Sequence, residues 1–224
     1  MPSCRPSTDC ARGAARWLLL ILIAVVAPAA LAQVVEEDLV IFAGNDRADR
    51  VRELLQKGAK PDAQNARGET ALAAAARAGN IATIDVLLAG GANVNARTRH
   101  GDLPIALAAY AGQAGVVRRL RAAGAVIDAP RSWTPLIYAA TAGQDDIVRY
   151  LLAQGADINA GSPNGTTALM MAIREGRFVT AELLLKERAD PNRRNDNGMT
   201  ALDFARRNDD KAMVESLKRA GARD

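Results

Sequence analysis

The feature that most restricts what this chain can fold into is an internal repeat with a period of 33 residues. A slot reading Thr70-Ala71-Leu72 recurs as Leu103-Pro104-Ile105, Thr134-Pro135-Leu136, Thr167-Ala168-Leu169 and Thr200-Ala201-Leu202, at steps of 33, 31, 33 and 33. A second slot reads Gly58-Ala59, Gly91-Ala92, Gly124-Ala125, Gly155-Ala156, Arg188-Ala189 and Gly221-Ala222, at steps of 33, 33, 31, 33 and 33. Self-similarity at this spacing signals supersecondary units that bury their apolar faces by stacking on one another.

One unit shows what the spacing encodes. In GETALAAAARAGNIATIDVLLAGGANVN (68–95), the Thr70 hydroxyl is placed to cap a short helix carrying Leu72, Ala74, Ala75 and Ala76. Gly79 supplies the positive φ that ends it. A second helix carries Ile84, Leu87 and Leu88 at helical spacing, Gly91 stops it, and Asn95 prepares the turn into the next unit. The chain is 49% hydrophobic but only 4% aromatic, with Ala supplying much of the apolar count. That composition suits closely packed helices better than a bulky core.

These residues resemble the ankyrin-repeat family, whose pattern of Gly-x-Thr-Pro-Leu-His, paired Ala, Gly, paired Leu, Gly-Ala and Asn is matched best by Ser132–Ala160 and Ala66–Ala96. The resemblance implies an all-α solenoid of helix-turn-helix units with projecting hairpin loops. About six units are expected, at 34–65, 66–97, 98–129, 130–160, 161–194 and 195–224. The first and last look like caps, with Phe42, Arg206, Asp209 and Lys218 in place of the residues of inner units, because solenoid ends need a polar outer face. The histidine of the family pattern is absent: its slot reads Ala73, Ala106, Ile137, Met170 and Asp203. Two residues are missing between the third and fourth units, since Asp128 to Thr134 spans six positions where Asp62 to Thr70 spans eight.

The N-terminus carries a different signal. Arg5, Arg12 and Arg16 precede LLLILIAVVAPAALA (18–32), the basic, apolar and small-x-small order of a secretory signal peptide. The run is shorter than the roughly 20 residues a spanning helix needs, so cleavage after Ala32 is expected rather than stable membrane insertion. Cys4 and Cys10 both fall in this leader, leaving a mature chain without cysteine and a fold stabilised by packing alone. The formal charge of +4 falls to +2 without the leader, so no nucleic-acid partner is expected. A periplasmic or secreted monomer is the expectation.

Candidates for catalysis are few. His100 is the only histidine and occupies a loop tip, so no catalytic residue, cofactor site or metal site is assigned. Asp145-Asp146 and Asp209-Asp210 are read as carboxylates at the starts of second helices. GSPNGTT (161–167) lacks the Lys of a phosphate loop, and its Asn-Gly reads as a turn. The chain therefore reads as a non-enzyme.

Other residues point to binding. The last variable slot of the first helix reads Arg77, Tyr110, Thr141, Arg174 and Arg207, while the slot before the Thr reads Glu69, Asp102, Trp133, Thr166 and Met199. Packed helices lie about 8–10 Å apart, so each set forms a ladder. Arg, Tyr and Trp dominate interface hot spots. Arg77, Tyr110, Trp133, Arg174 and Arg207 are thus the candidate contacts for an unidentified protein partner, on the concave face that the family resemblance implies. Tyr110 and Trp133 are expected outside the stacked core. The alternative function is an accessory factor supporting an exported enzyme, for example in stress defence. Sequencing the N-terminus of the protein from a periplasmic fraction is expected to begin at Gln33. Recovery of intact residues 1–32 in the membrane fraction would show an anchor instead.

Overall fold

Side-chain oxygens start most of the repeated first helices. Thr70, Thr134, Thr167 and Thr200 accept hydrogen bonds from the backbone N–H groups of Ala73, Ile137, Met170 and Asp203, at 3.2, 3.3, 3.4 and 3.3 Å. Leu103 has no oxygen to offer, and Pro104 begins that helix instead, where a missing N–H costs no bond. The computed structural model describes residues 34–128 and 132–223. The expected leader (1–32) and its cleavage site lie outside the described residues.

Twelve helices occupy the described residues. They are α1 (34–44), α2 (Ala48–Gln56), α3 (Ala71–Ala78), α4 (Ile81–Ala89), α5 (Pro104–Tyr110), α6 (Ala114–Ala122), α7 (Pro135–Ala142), α8 (Asp145–Ala153), α9 (Ala168–Arg174), α10 (Phe178–Lys186), α11 (Ala201–Arg207) and α12 (Lys211–Arg219). The odd-numbered helices from α3 to α11 pack in one row and the even-numbered helices from α2 to α12 in a second. Each even helix from α4 onward also packs on the odd helix before it. Ile84, Ile105, Leu136, Leu151 and Leu169 are almost wholly buried between the rows. Buried alanines, among them Ala75, Ala108, Ala139 and Ala172, let the odd helices approach closely.

The loops between helix pairs are hydrogen-bonded turns. Asn65 N–H donates to the Glu69 carbonyl at 3.0 Å, and Gly68 N–H to the Asn65 carbonyl at 2.8 Å. The same pair of bonds recurs from Asn195 to Met199. No strand forms among the described residues; two isolated antiparallel bridges, Gln64 with Thr70 and Gly161 with Thr167, are what the turns contribute.

Asn95 does more than prepare a turn. Its Oδ1 accepts the N–H of Val126 at 2.9 Å, in the following unit. Asp62, Asp128, Asn159 and Asn192 do the same for Asn93, Asp157, Asp190 and Arg223 at 2.8–2.9 Å. A ladder of side-chain acceptors thus runs along the repeat and satisfies backbone donors that would otherwise face their neighbours unpaired.

Positive φ recurs where the repeat requires it, and three non-glycine residues adopt it: Asp46, Asp209 and Arg188, at φ 54°, 52° and 68°. Asp46 and Asp209 follow the first helices of the two outermost pairs, and Asp tolerates this region better than most side chains. Asp209 is therefore a turn residue; only Asp210 caps α12, accepting from Met213 N–H at 3.0 Å. Arg188 has no such excuse. It stands exposed in a slot that is glycine in the other units.

Two predictions follow from these ends. Left-handed backbone costs a non-glycine residue about 1–2 kcal/mol, and glycine returns roughly 0.5–1 kcal/mol of that through unfolded-state entropy. Arg188→Gly is expected to stabilise the chain by up to about 1.5 kcal/mol, at about 2–4 °C in Tm per kcal/mol, measured by thermal circular dichroism. Asp203 completes a reciprocal cap on α11, with its Oδ2 accepting from Thr200 N–H at 2.7 Å. That backbone hydrogen bond holds its carboxyl below the usual Asp range, with burial opposing. A depressed carboxylate stabilises above its unfolded pKa and loses that contribution as pH falls through the folded value. In urea titrations, Asp203→Asn is therefore expected to be destabilised at neutral pH and to converge on the parent in strong acid.

Candidate functional site

Four of the five candidate side chains, Arg77, Tyr110, Arg174 and Arg207, come from one row of helices, and the fifth, Trp133, directly precedes the Thr134 cap of α7. Arg77, Thr141, Arg174 and Arg207 lie in the last turns of α3, α7, α9 and α11, and Tyr110 ends α5. The chain then leaves each helix through a positive-φ residue, Gly79, Gly112, Gly143, Gly176 or Asp209. The common exit fixes the side chains at equivalent points of successive units.

Their surroundings differ. Arg77 Nη2 lies 2.6 Å from Oε1 of the buried Glu69, so the two ladders meet within one unit. Arg174 pairs with its neighbour Glu175 at 2.9 Å, and both remain exposed. Arg207 is exposed at the end of the row. Tyr110 is 51% exposed, an uncommon position for a large ring, and stands outside the core as expected. Trp133 does not: it is partly buried and packed against the core.

The centre of the row holds a residue that sequence reasoning missed. Tyr138, on α7, meets Tyr110 edge to face with centroids 5.9 Å apart, and Trp133 at 6.1 Å. Edge-to-face pairs of this kind hold ring orientation beyond what area burial supplies. The Tyr138 hydroxyl donates to Asp102 Oδ1 at 2.6 Å. Burial first, and then the bond to the Asp102 carboxylate, push the phenol well above its ordinary value, so it remains a proton donor at any physiological pH. Three aromatic rings and one carboxylate therefore form a single fixed cluster across α5 and α7. The signal was faint because equivalents of Tyr138 are Ala74, Leu107, Met171 and Phe204, which read as core positions.

Beside this cluster lies a cavity of about 200 Å³ lined by Arg67, Glu69, Arg77, His100, Asp102 and Leu107, among others. His100, read from sequence as a solvated loop residue, is exposed at its wall. The larger groove, about 900 Å³, belongs to the other row of helices, with Phe178 and Val179 exposed at 45% and 69%. None of the five candidate residues lines it. Among the described residues, no group of three or more His, Cys, Asp or Glu is placed to hold a metal ion, and no helix is long and apolar enough to cross a membrane.

Paired helices stacked in two rows, with hydrogen-bonded turns between pairs, define a tandem-repeat solenoid. The family model described as ankyrin repeats in 3 copies matches residues 39–131, 101–162, 124–195 and 160–223, and the chain belongs to the ankyrin-repeat family. No curated protein matches the chain. Ankyrin-repeat domains generally mediate protein–protein interaction and are typically non-catalytic scaffolds. The family histidine slot carries Ala73, Ala106, Ile137 and Met170, all of them buried apolar residues that need no polar partner. In the last pair, Asp203 fills that slot and makes the cap itself.

Proposed function

We propose that this chain is an exported, non-enzymatic protein that binds a partner protein through a concave face formed by the odd-numbered helices and the turns projecting beside them. The observation that carries the reading is the aromatic cluster. Tyr110 presents half its surface to solvent, yet Tyr138, Trp133 and the Tyr138–Asp102 bond hold it in place. A rigid aromatic side chain loses little entropy on binding, which is why such rings dominate hot spots. Arg77, Arg174 and Arg207 extend the surface to either side at equivalent positions of their helices. The basic, apolar and Ala-x-Ala order of residues 1–32 supports export, with the terminal helix pairs serving as caps.

Crosslinking in the native compartment identifies the partner, and titration calorimetry then measures its affinity for purified variants. Tyr110→Ala with Trp133→Ala is expected to weaken binding by at least about 2 kcal/mol, with smaller losses for Arg77→Ala and Arg207→Ala. Because Trp133 packs on the core, Tyr110→Ala alone is the cleaner reading: it should cost affinity while leaving helicity unchanged, with only a small drop in Tm from losing the contact with Tyr138. Normal binding by a folded Tyr110→Ala protein would move the partner surface away from this row.

A further inference from the structure

The cavity beside the aromatic cluster has a charge pattern that says what it can hold. Its two carboxylates are already engaged. Glu69 Oε1 faces Arg77 Nη2 at 2.6 Å, and Asp102 accepts from the Tyr138 hydroxyl at 2.6 Å and from Thr98 Oγ1 at 3.4 Å. Its cations are not balanced in the same way. Arg67 is exposed at the wall, and Arg77 keeps more than half its side-chain surface in solvent after pairing with Glu69.

A further arginine is held across the same place by the backbone. Arg99 N–H donates to the Gly68 carbonyl at 2.7 Å. Its side chain then lies over Gly68, where a methyl group would come within 2.3 Å of the Arg99 Cβ and 2.9 Å of its Nε. Gly68, at φ 74°, thus meets both the turn geometry and the close approach of Arg99. Arg67 and Arg77 line the cavity and Arg99 lies against its Gly68 wall, so three guanidinium groups stand against two carboxylates, one ion-paired with Arg77 and the other hydrogen-bonded to Tyr138. On the opposite wall, Asp102 leads through Tyr138 to the exposed ring of Tyr110.

We infer that this cavity takes the carboxylate of an Asp or Glu side chain on the partner protein, with an apolar or aromatic residue of the same segment lying on Tyr110. The inference rests on the concave-face reading above and gives its chemistry. Guanidinium groups bind carboxylates with charge-assisted, directional hydrogen bonds, and two of them lining one small space with a third beside it outnumber the two carboxylates and favour an anion over a cation. A volume of about 200 Å³ suits one side chain rather than a folded element. The remaining contact area must then come from the aromatic surface.

The test uses the purified protein and a phage library of random dodecapeptides. Enriched peptides are expected to carry Asp or Glu within a few positions of an aromatic or large aliphatic residue. Titrated by fluorescence anisotropy, the best of them should weaken by about tenfold or more when its acidic residue becomes Asn or Gln. Arg67→Glu with Arg99→Glu should cause a similar loss, with helicity unchanged, and so should raising salt from about 50 to about 500 mM. Enrichment of basic or uncharged peptides, no enrichment at all, or equal binding by the charge-reversed protein would overturn the inference. Loss of binding in Tyr110→Ala together with indifference to charge reversal would leave the concave face standing and remove only its acidic ligand. Displacement of the peptide by a single-stranded oligonucleotide, with no effect of removing the peptide's acid, would assign the cavity to phosphate and also overturn it. If Val179→Asp abolishes binding and Tyr110→Ala does not, the groove of α8, α10 and α12 is the site, and both readings fall.

Discussion

The molecule depends on apolar surface that no helix pair can cover alone. Ile105, Ile137 and Ile173 are buried because the next pair lies against them, and removing a neighbour would return that surface to water. Fully burying one such side chain contributes about 1.5–3 kcal/mol, and deleting it from a packed site costs about 2–5 kcal/mol. The alanines serve the same end differently. With Ala75, Ala108, Ala139 and Ala172 at the contacts, the backbones of successive odd helices come close, and larger side chains there would force the rows apart. Stacking therefore sets the spacing of every exposed side chain on the ladder.

Most of the fold was legible because it repeats. The Thr slot located the N-caps at Thr70, Thr134, Thr167 and Thr200. The Gly-Ala slot located the positive-φ residue after each second helix so firmly that Arg188 could be read as occupying it against its own preference. Each of these features is local to one unit, where residue spacing maps directly onto helix geometry. The acceptor ladder of Asp62, Asn95, Asp128, Asn159 and Asn192 was less visible, since its bonds run between units.

The site was legible only in outline. Arg77, Tyr110, Arg174 and Arg207 fall at equivalent ends of their helices because helical phase decides that. Tyr138 and the burial of Trp133 were hidden for a different reason. Both depend on ring contacts that α5, α7 and the turn before Thr134 bring together, which spacing along the chain does not encode, although burial of the Trp133 slot recurs at Glu69 and Thr166. The residues equivalent to Tyr138 in other units are apolar, and the hydroxyl reaching Asp102 could be read only from the packed structure. The same holds for the arginines gathered at the cavity, which come from two turns and one helix end.

The acceptor ladder also bears on how the chain finds its structure. Four of its rungs join residues 31 apart and the other joins residues 29 apart, so each junction closes a loop of nearly the same length. Loop-closure entropy rises only slowly with length, and here it does not rise along the chain at all. No junction is entropically privileged by its place in the sequence. Contact order stays low however many units are stacked, and ordered structure can spread in either direction from whichever junction forms first. The helix pairs joined across Asn95 and Asn159 are as well placed to begin as those at either end.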